Sequence, residues 1–141
     1  AERRDMSEQD LFSVLEAEIQ RSNPGADYLV MTPWFLGERC PESTTTTRST
    51  IFNLTHHHTR AHITRAHFEG IAYNLRWIIQ NMENDFGFSI PVLKITGGGS
   101  RNPAWQRIRE HTLDVRLKSP VSEMAAYGAA LLAAGRVEKP T

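Results

Sequence analysis

The run Val92-Leu93-Lys94-Ile95-Thr96-Gly97-Gly98-Gly99-Ser100-Arg101-Asn102-Pro103-Ala104-Trp105 constrains this chain more than any other stretch. Ile90 to Ile95 is apolar and β-branched apart from Pro91 and Lys94, which predicts a short strand buried on both faces. Asn102 suits a helix N-cap, and Pro103 suits the first helical position, where a missing N–H costs nothing. Three glycines between strand and helix allow positive φ and keep side chains out of a ligand's way. The free N–H groups and positive dipole end of the following helix favour a phosphate or another electron-rich group. The same turn serves wherever an α/β chain reverses sharply, so the motif alone fits either a nucleotide wall or a structural corner. It is neither a G-x-G-x-x-G fingerprint nor a P-loop, because no Lys-Ser/Thr follows the glycines.

Length sets the scale of what can surround this turn. With 141 residues, 40% apolar and 23% charged, the chain suits one domain of ordinary globular composition, spanning residues 1–141. Its 16 Lys and Arg balance 16 Asp and Glu and are scattered, so no basic excess exists to release counterions from a nucleic acid. No run of eighteen apolar residues occurs, and Ala1-Glu2-Arg3-Arg4-Asp5 is followed by no apolar segment. A single cysteine, Cys40, has no internal partner. These features predict a cytoplasmic protein without membrane or nucleic-acid partners.

Periodicity predicts a helix over Ser7–Arg21, with Ser7 as cap, Asp10 supporting it, and Asn23-Pro24-Gly25 as its end. Asp27–Phe35 reads as extended, with Pro33 marking an edge. Gly37–Ser49 is a loop whose Thr44–Thr47 run reads as a mobile connection, and Thr50–Thr55 is again extended. A long helix follows over about His57–Asp85, with Ala61, Thr64 or Arg65, Phe68, Ile71, Ala72, Leu75, Ile78, Ile79 and Met82 on one face and Gly87 as the stop. Beyond the glycine turn come a helix over Pro103–His111, a strand over Asp114–Leu117, and a last helix from the Ser122 cap to Gly135. Ala125, Ala126, Gly128, Ala129, Ala130 and Ala133 make that helix slim enough for close packing. The order predicts an α/β fold with a mainly parallel sheet flanked by helices.

Three ordered segments carry a resemblance. Pro33-Trp34-Phe35-Leu36-Gly37-Glu38-Arg39-Cys40-Pro41 leads to Arg48-Ser49-Thr50-Ile51-Phe52-Asn53-Leu54. His58-Thr59-Arg60-Ala61-His62 and Glu69-Gly70-Ile71-Ala72 follow, then the glycine turn. In order and spacing this resembles the C-terminal half of the FGGY carbohydrate kinases, especially the xylulokinase-like branch, over about Asp27 to Arg136. The resemblance implies part of a ribonuclease-H-like, actin-like ATPase domain. It further implies a parent enzyme that passes the γ-phosphoryl group of ATP, with Mg²⁺, to a small sugar such as xylulose or a related ketopentose. The sugar-binding domain, the phosphate-binding hairpins and the catalytic aspartate of the family match nothing here, so the chain is expected to be a fragment, inactive alone, with no catalytic residue of its own. Its incomplete sheet predicts association, including into a homo-oligomer. A non-catalytic nucleotide-binding or interaction module derived from a kinase is the alternative. A dinucleotide oxidoreductase lacks its fingerprint and ribose-binding acid.

On the same resemblance Gly97, Gly98 and Gly99 match the adenosine motif, and Asn102 matches the position whose side chain reaches the adenine. Ser49 and Thr50 depart from the family's Gly-Ala after the arginine. Other residues invite blander readings. His56, His57, His58, His62 and His67 crowd one stretch, but no third metal ligand is placed beside His58 and His62. Cys40 reads as a buried, inert thiol, and Glu69 as a solvated or capping carboxylate. Gly70 is expected to let the long helix approach the sheet closely. Arg39 and Arg48 are expected to pair with Glu38 or Glu42.

Overall fold

The computed structural model describes residues 7–118 and 124–135. Helix α1 (Glu8–Gln20) begins where Ser7 Oγ accepts the Asp10 N–H at 3.2 Å and Asp10 accepts the Ser7 N–H at 3.1 Å. This reciprocal cap is the one the sequence foreshadows. It stops at Arg21, and the chain then enters a 3₁₀ turn, Ala26–Tyr28. Ala26, Asp27 and Tyr28 all have positive φ, at 47°, 55° and 63°. Three consecutive non-glycine residues in the left-handed region are strained, at roughly 1–2 kcal/mol each, so the surroundings must hold them there.

Strand β1 (Val30–Met31) pairs antiparallel with β2 (Ile51–Phe52), Val30 opposite Phe52. The extended segments expected over Asp27–Phe35 and Thr50–Thr55 thus shrink to two residues each. The first is pre-empted by the left-handed turn, and Pro33, lacking an N–H, ends what remains. Helix α2 (Arg60–Phe86) runs 27 residues, about 40 Å at 1.5 Å per residue. Gly87, at φ 67°, stops it by donating its N–H to Glu83 O at 2.9 Å. His57 and His58 lie before the helix, and Thr59 is its cap.

Strand β3 (Val92–Lys94) lies parallel to β4 (Arg116–Lys118), with helix α3 (Pro103–Leu113) between them in sequence. Asp114, expected to open that last strand, instead closes α3 in the left-handed conformation at φ 54°. β3 is half-buried, not enclosed on both faces as its composition suggests, because β4 is the one strand beside it among the described residues. Helix α4 (Met124–Ala133) follows; its expected cap Ser122 lies outside the described residues. Ala129, Ala130 and Ala133 are exposed, and a Cβ on Gly128 would meet nothing within 4 Å. At these positions the close packing expected of α4 is not made among the described residues, and the Ala125 and Ala126 side chains lie outside them.

The core is formed where α2 crosses α1 and α3. Ile19, Ala72, Ala104, Trp105 and Ile108 are buried there, with Phe68, Ile71 and Leu75 against them. A second cluster of Ala26, Leu29 and Ala66, flanked by Met31 and Ile63, seats the left-handed turn and β1 on the start of α2. Gly70 permits this: a Cβ there would overlap the Met31 carbonyl oxygen. The close approach expected of Gly70 is therefore made, and it is made to backbone.

Candidate functional site

The glycine turn sits at the carboxyl end of β3, the end at which parallel α/β sheets receive ligands. Gly97 has φ 96°, a conformation only glycine takes without strain, and a Cβ there would meet nothing within 4 Å. Gly98–Arg101 form one 3₁₀ turn, closed by the Ser100 N–H and Oγ on Gly97 O at 3.0 and 2.6 Å. Among the described residues the space over Gly97 is open.

Asn102 joins this turn to α3. Its Oδ1 accepts the Trp105 N–H at 2.9 Å, the cap predicted from sequence, and its Nδ2 points to Phe12 O in α1 at 3.4 Å. The residue is buried. Its amide therefore serves the fold first, and among the described residues one lone pair and one N–H remain uncommitted. Trp105 meets the turn from the other direction, its Cδ1 3.9 Å from where a Gly99 Cβ would stand. Its ring lies 5.3 Å from that of Phe68, and the Arg109 guanidinium lies 4.9 Å over it. Burial pushes the Arg109 pKa down, and its Nε has no partner among the described residues. The wall of the turn is braced against α2 by this stack. Asn102→Ala is expected to lower stability by about 1 kcal/mol, read as a fall in the urea midpoint; an unchanged midpoint would remove the cap from the account.

The other sequence candidates lie elsewhere. Glu69 is not solvated: it is buried, pairs with Arg65 Nε at 2.7 Å, and accepts the Gly25 N–H at 3.0 Å. Arg65 in turn donates to Ile19 O and Ser22 O at 3.2 and 2.8 Å. Sequence reasoning missed this clamp because nothing local marks which helix face meets the Ser22–Gly25 corner. Burial pushes the Glu38 carboxyl up, but the Cys40 and Arg39 N–H groups, with the Asn74 and Trp34 side chains, hold it below the usual carboxylate range. Arg48 does not take up the expected ion pair; it donates to Thr45 O and Thr47 O at 2.7 and 2.8 Å. Cys40 is exposed, not buried. His58 and His62 accept backbone N–H groups through Nδ1, at 2.9 Å from Thr55 and 3.0 Å from Thr59. Among the described residues no three His, Cys, Asp or Glu side chains converge as a metal site, and no helix is long and apolar enough to cross a membrane.

Residues 1–136 match the family described as the FGGY family of carbohydrate kinases, C-terminal domain. The chain belongs to that family. This FGGY domain is 32% identical over 130 residues to a xylulose kinase of Staphylococcus xylosus, covering 92% of the chain and 27% of the relative. It is 30% identical over 133 residues to a gluconokinase of Bacillus subtilis, covering 92% of the chain and 26% of the relative. The crystal structure of a xylulose kinase from Rhodospirillum rubrum superposes with a TM-score of 0.73 at 28% identity, over 96% of this chain and 27% of that one. The chain thus spans about a quarter of the length of these relatives. The fold is part of the actin-like, ribonuclease-H-like ATPase domain of the FGGY kinases.

Proposed function

We propose that this FGGY domain supplies the nucleotide-side wall of an ATP-dependent sugar kinase acting on xylulose or a related ketopentose. The observation that carries the reading is the open glycine turn at the carboxyl end of β3, rigidly capped into α3. Gly97, Gly98 and Gly99 would lie against the adenosine, since a flat wall without Cβ atoms suits a purine and ribose. Asn102 holds the turn in shape and offers its uncommitted amide N–H and lone pair to the base. A magnesium ion would be held by the phosphates, where it would neutralise their charge; among the described residues no three His, Cys, Asp or Glu converge to ligate it. Relatives named for xylulose and for gluconate match about equally well; the resemblance of the ordered motifs to the xylulokinase-like branch favours the ketopentose. The same reading places the protein in the cytoplasm.

The wall alone has no group to take the hydroxyl proton. The 141-residue chain is therefore expected to show no ATP-dependent phosphorylation of xylulose or gluconate above blank. In a polypeptide carrying this segment together with the remaining length of an FGGY kinase, Gly98→Val is expected to raise the KM for ATP about tenfold. The KM for sugar and the melting temperature should stay near parental values. Normal ATP affinity in folded Gly98→Val protein would assign the turn to packing alone, and turnover by the 141-residue chain that disappears in Asn102→Ala would overturn the division of labour.

Self-association belongs to the same proposal. Tyr28, Val30, Phe52 and Leu54 are 82%, 51%, 54% and 55% exposed around the β1–β2 pair, and short unpaired edges with apolar faces invite another chain. Light scattering on size-exclusion eluate should show the isolated chain above monomer mass. A monodisperse monomer at 100 µM, on the order of ordinary assay concentrations, would refute this.

A further inference from the structure

A cavity of about 670 Å³ opens between the end of α1, the first half of α2 and one face of α3, and none of residues 97–102 lines it. Its volume falls within the range of small-molecule sites. Helical spacing builds its walls: Arg65, Glu69 and Tyr73 stand four residues apart on α2, and Arg107 and His111 four apart on α3. The corner over residues 22–25 closes the third side, and the floor is apolar where buried Ile19, Ala104 and Ile108 line it. The charges do not cancel. Glu69 is paired with Arg65 at 2.7 Å, and Arg65 Nη1 also covers the Ile19 and Ser22 carbonyls at the negative end of α1. Arg107 has no carboxylate within ion-pair distance among the described residues. Glu110, three positions on, accepts the Gln106 amide at 2.8 Å instead. An unspent guanidinium therefore lines the cavity together with the Tyr73 hydroxyl and the His111 ring, neither of which is hydrogen-bonded among the described residues.

We infer that this cavity between α1, α2 and α3 binds a phosphate dianion, either free or esterified to a small sugar. A guanidinium presents a planar fork of donors that matches two phosphate oxygens at once. The Tyr73 hydroxyl can donate to a third, and a histidine ring offers an N–H in either tautomer. A cation is the wrong guest, because the one carboxylate lining the cavity, Glu69, is already spent on Arg65 and on the Gly25 N–H. The space exceeds what a bare ion fills, and the apolar floor suits the carbon skeleton of an ester. A ligand held there would bridge α2 and α3, the helices whose crossing carries the core. The inference stands apart from the nucleotide reading, since no residue of the glycine turn takes part.

Calorimetric titration of the 141-residue chain with ribose 5-phosphate, inorganic phosphate and ribose tests this, with amide chemical shifts to locate the ligand. Both phosphates are expected to bind and ribose is not. Tighter binding of the ester supports a phosphorylated sugar, and equal affinity supports the free ion. The shifts should concentrate at residues 22–25, 69–73 and 107–112. R107Q should weaken ribose 5-phosphate about tenfold, and Y73F should weaken it less. R39Q, which removes the same charge between β1 and β2, should leave it unchanged. Arg107 and Tyr73 are exposed, so both variants keep the packed core, and the position of the shifts in the parental chain needs no variant. Absence of binding, binding of ribose itself, shifts confined to residues 97–102, or an affinity that R107Q does not alter would overturn the site. G98V separates this inference from the nucleotide wall: phosphate binding should survive it, and loss of binding there would move the ligand to the glycine turn.

Discussion

Gly70→Ala is expected to cost about 3 kcal/mol of stability, at the upper end of overpacking changes. Helix propensity predicts the opposite sign, since alanine in a helix interior is better than glycine by about 1 kcal/mol. The reversal comes from one contact. The new Cβ would overlap the Met31 carbonyl oxygen, a backbone atom of β1 that no rotamer change can move aside. Met31 is held in register by Ile51, and Leu29 beside it is 2% exposed in the cluster that seats the left-handed turn. Relief therefore requires lifting β1 and the turn together from α2. Chemical denaturation of both proteins measures the difference, and a Gly70→Ala midpoint at or above the parental one would show that the approach of β1 to α2 is looser than described.

Glu69→Ala is expected to cost a further large amount, about 3–5 kcal/mol, because it strands a partly desolvated guanidinium and an inward N–H at once. Glu69 and Arg65 side chains are 10% and 13% exposed. Together they satisfy the Gly25 N–H and the Ile19 and Ser22 carbonyls, from the last turn of α1 to the residue before the strained turn. Replacing both, as Arg65→Met with Glu69→Leu, should cost less than Glu69→Ala alone, since no buried charge is then left unpaired. A double-mutant cycle on these variants gives the coupling directly. Additive effects would mean that the pair is solvated in solution and that the turn is held by packing and by the His58 contact to the Asp27 carbonyl.

Much of the candidate site was legible in local order. Asn102-Pro103 marks a helix start wherever it stands before an amphipathic run, and the structure caps α3 with Asn102 as expected. Ser7 and Asp10 announce α1, and Gly87 announces the end of α2, for the same reason: caps are satisfied by residues within four positions. The errors cluster where partners are distant. Asp27–Phe35 has strand composition, yet Ala26, Asp27 and Tyr28 turn left-handed because Glu69 reaches Gly25 just before them, His58 reaches the Asp27 carbonyl, and Asn53 donates to Tyr28 O at 3.2 Å. Glu69 looked solvated because a mid-helix carboxylate is usually so, and only the fold brings it to the Gly25 N–H, 44 positions away, beside Arg65, 4 positions away.

By itself the sequence determined the family, the order of the elements, the caps and the glycine turn, because each depends on residue type at short spacing. The tertiary structure alone decided where Gly70 meets backbone, which carboxylate is clamped, and that Asn102 spends its amide on the fold before any ligand. Those outcomes depend on pairs of groups brought together across tens of residues, where only the packed geometry says which donor finds which acceptor.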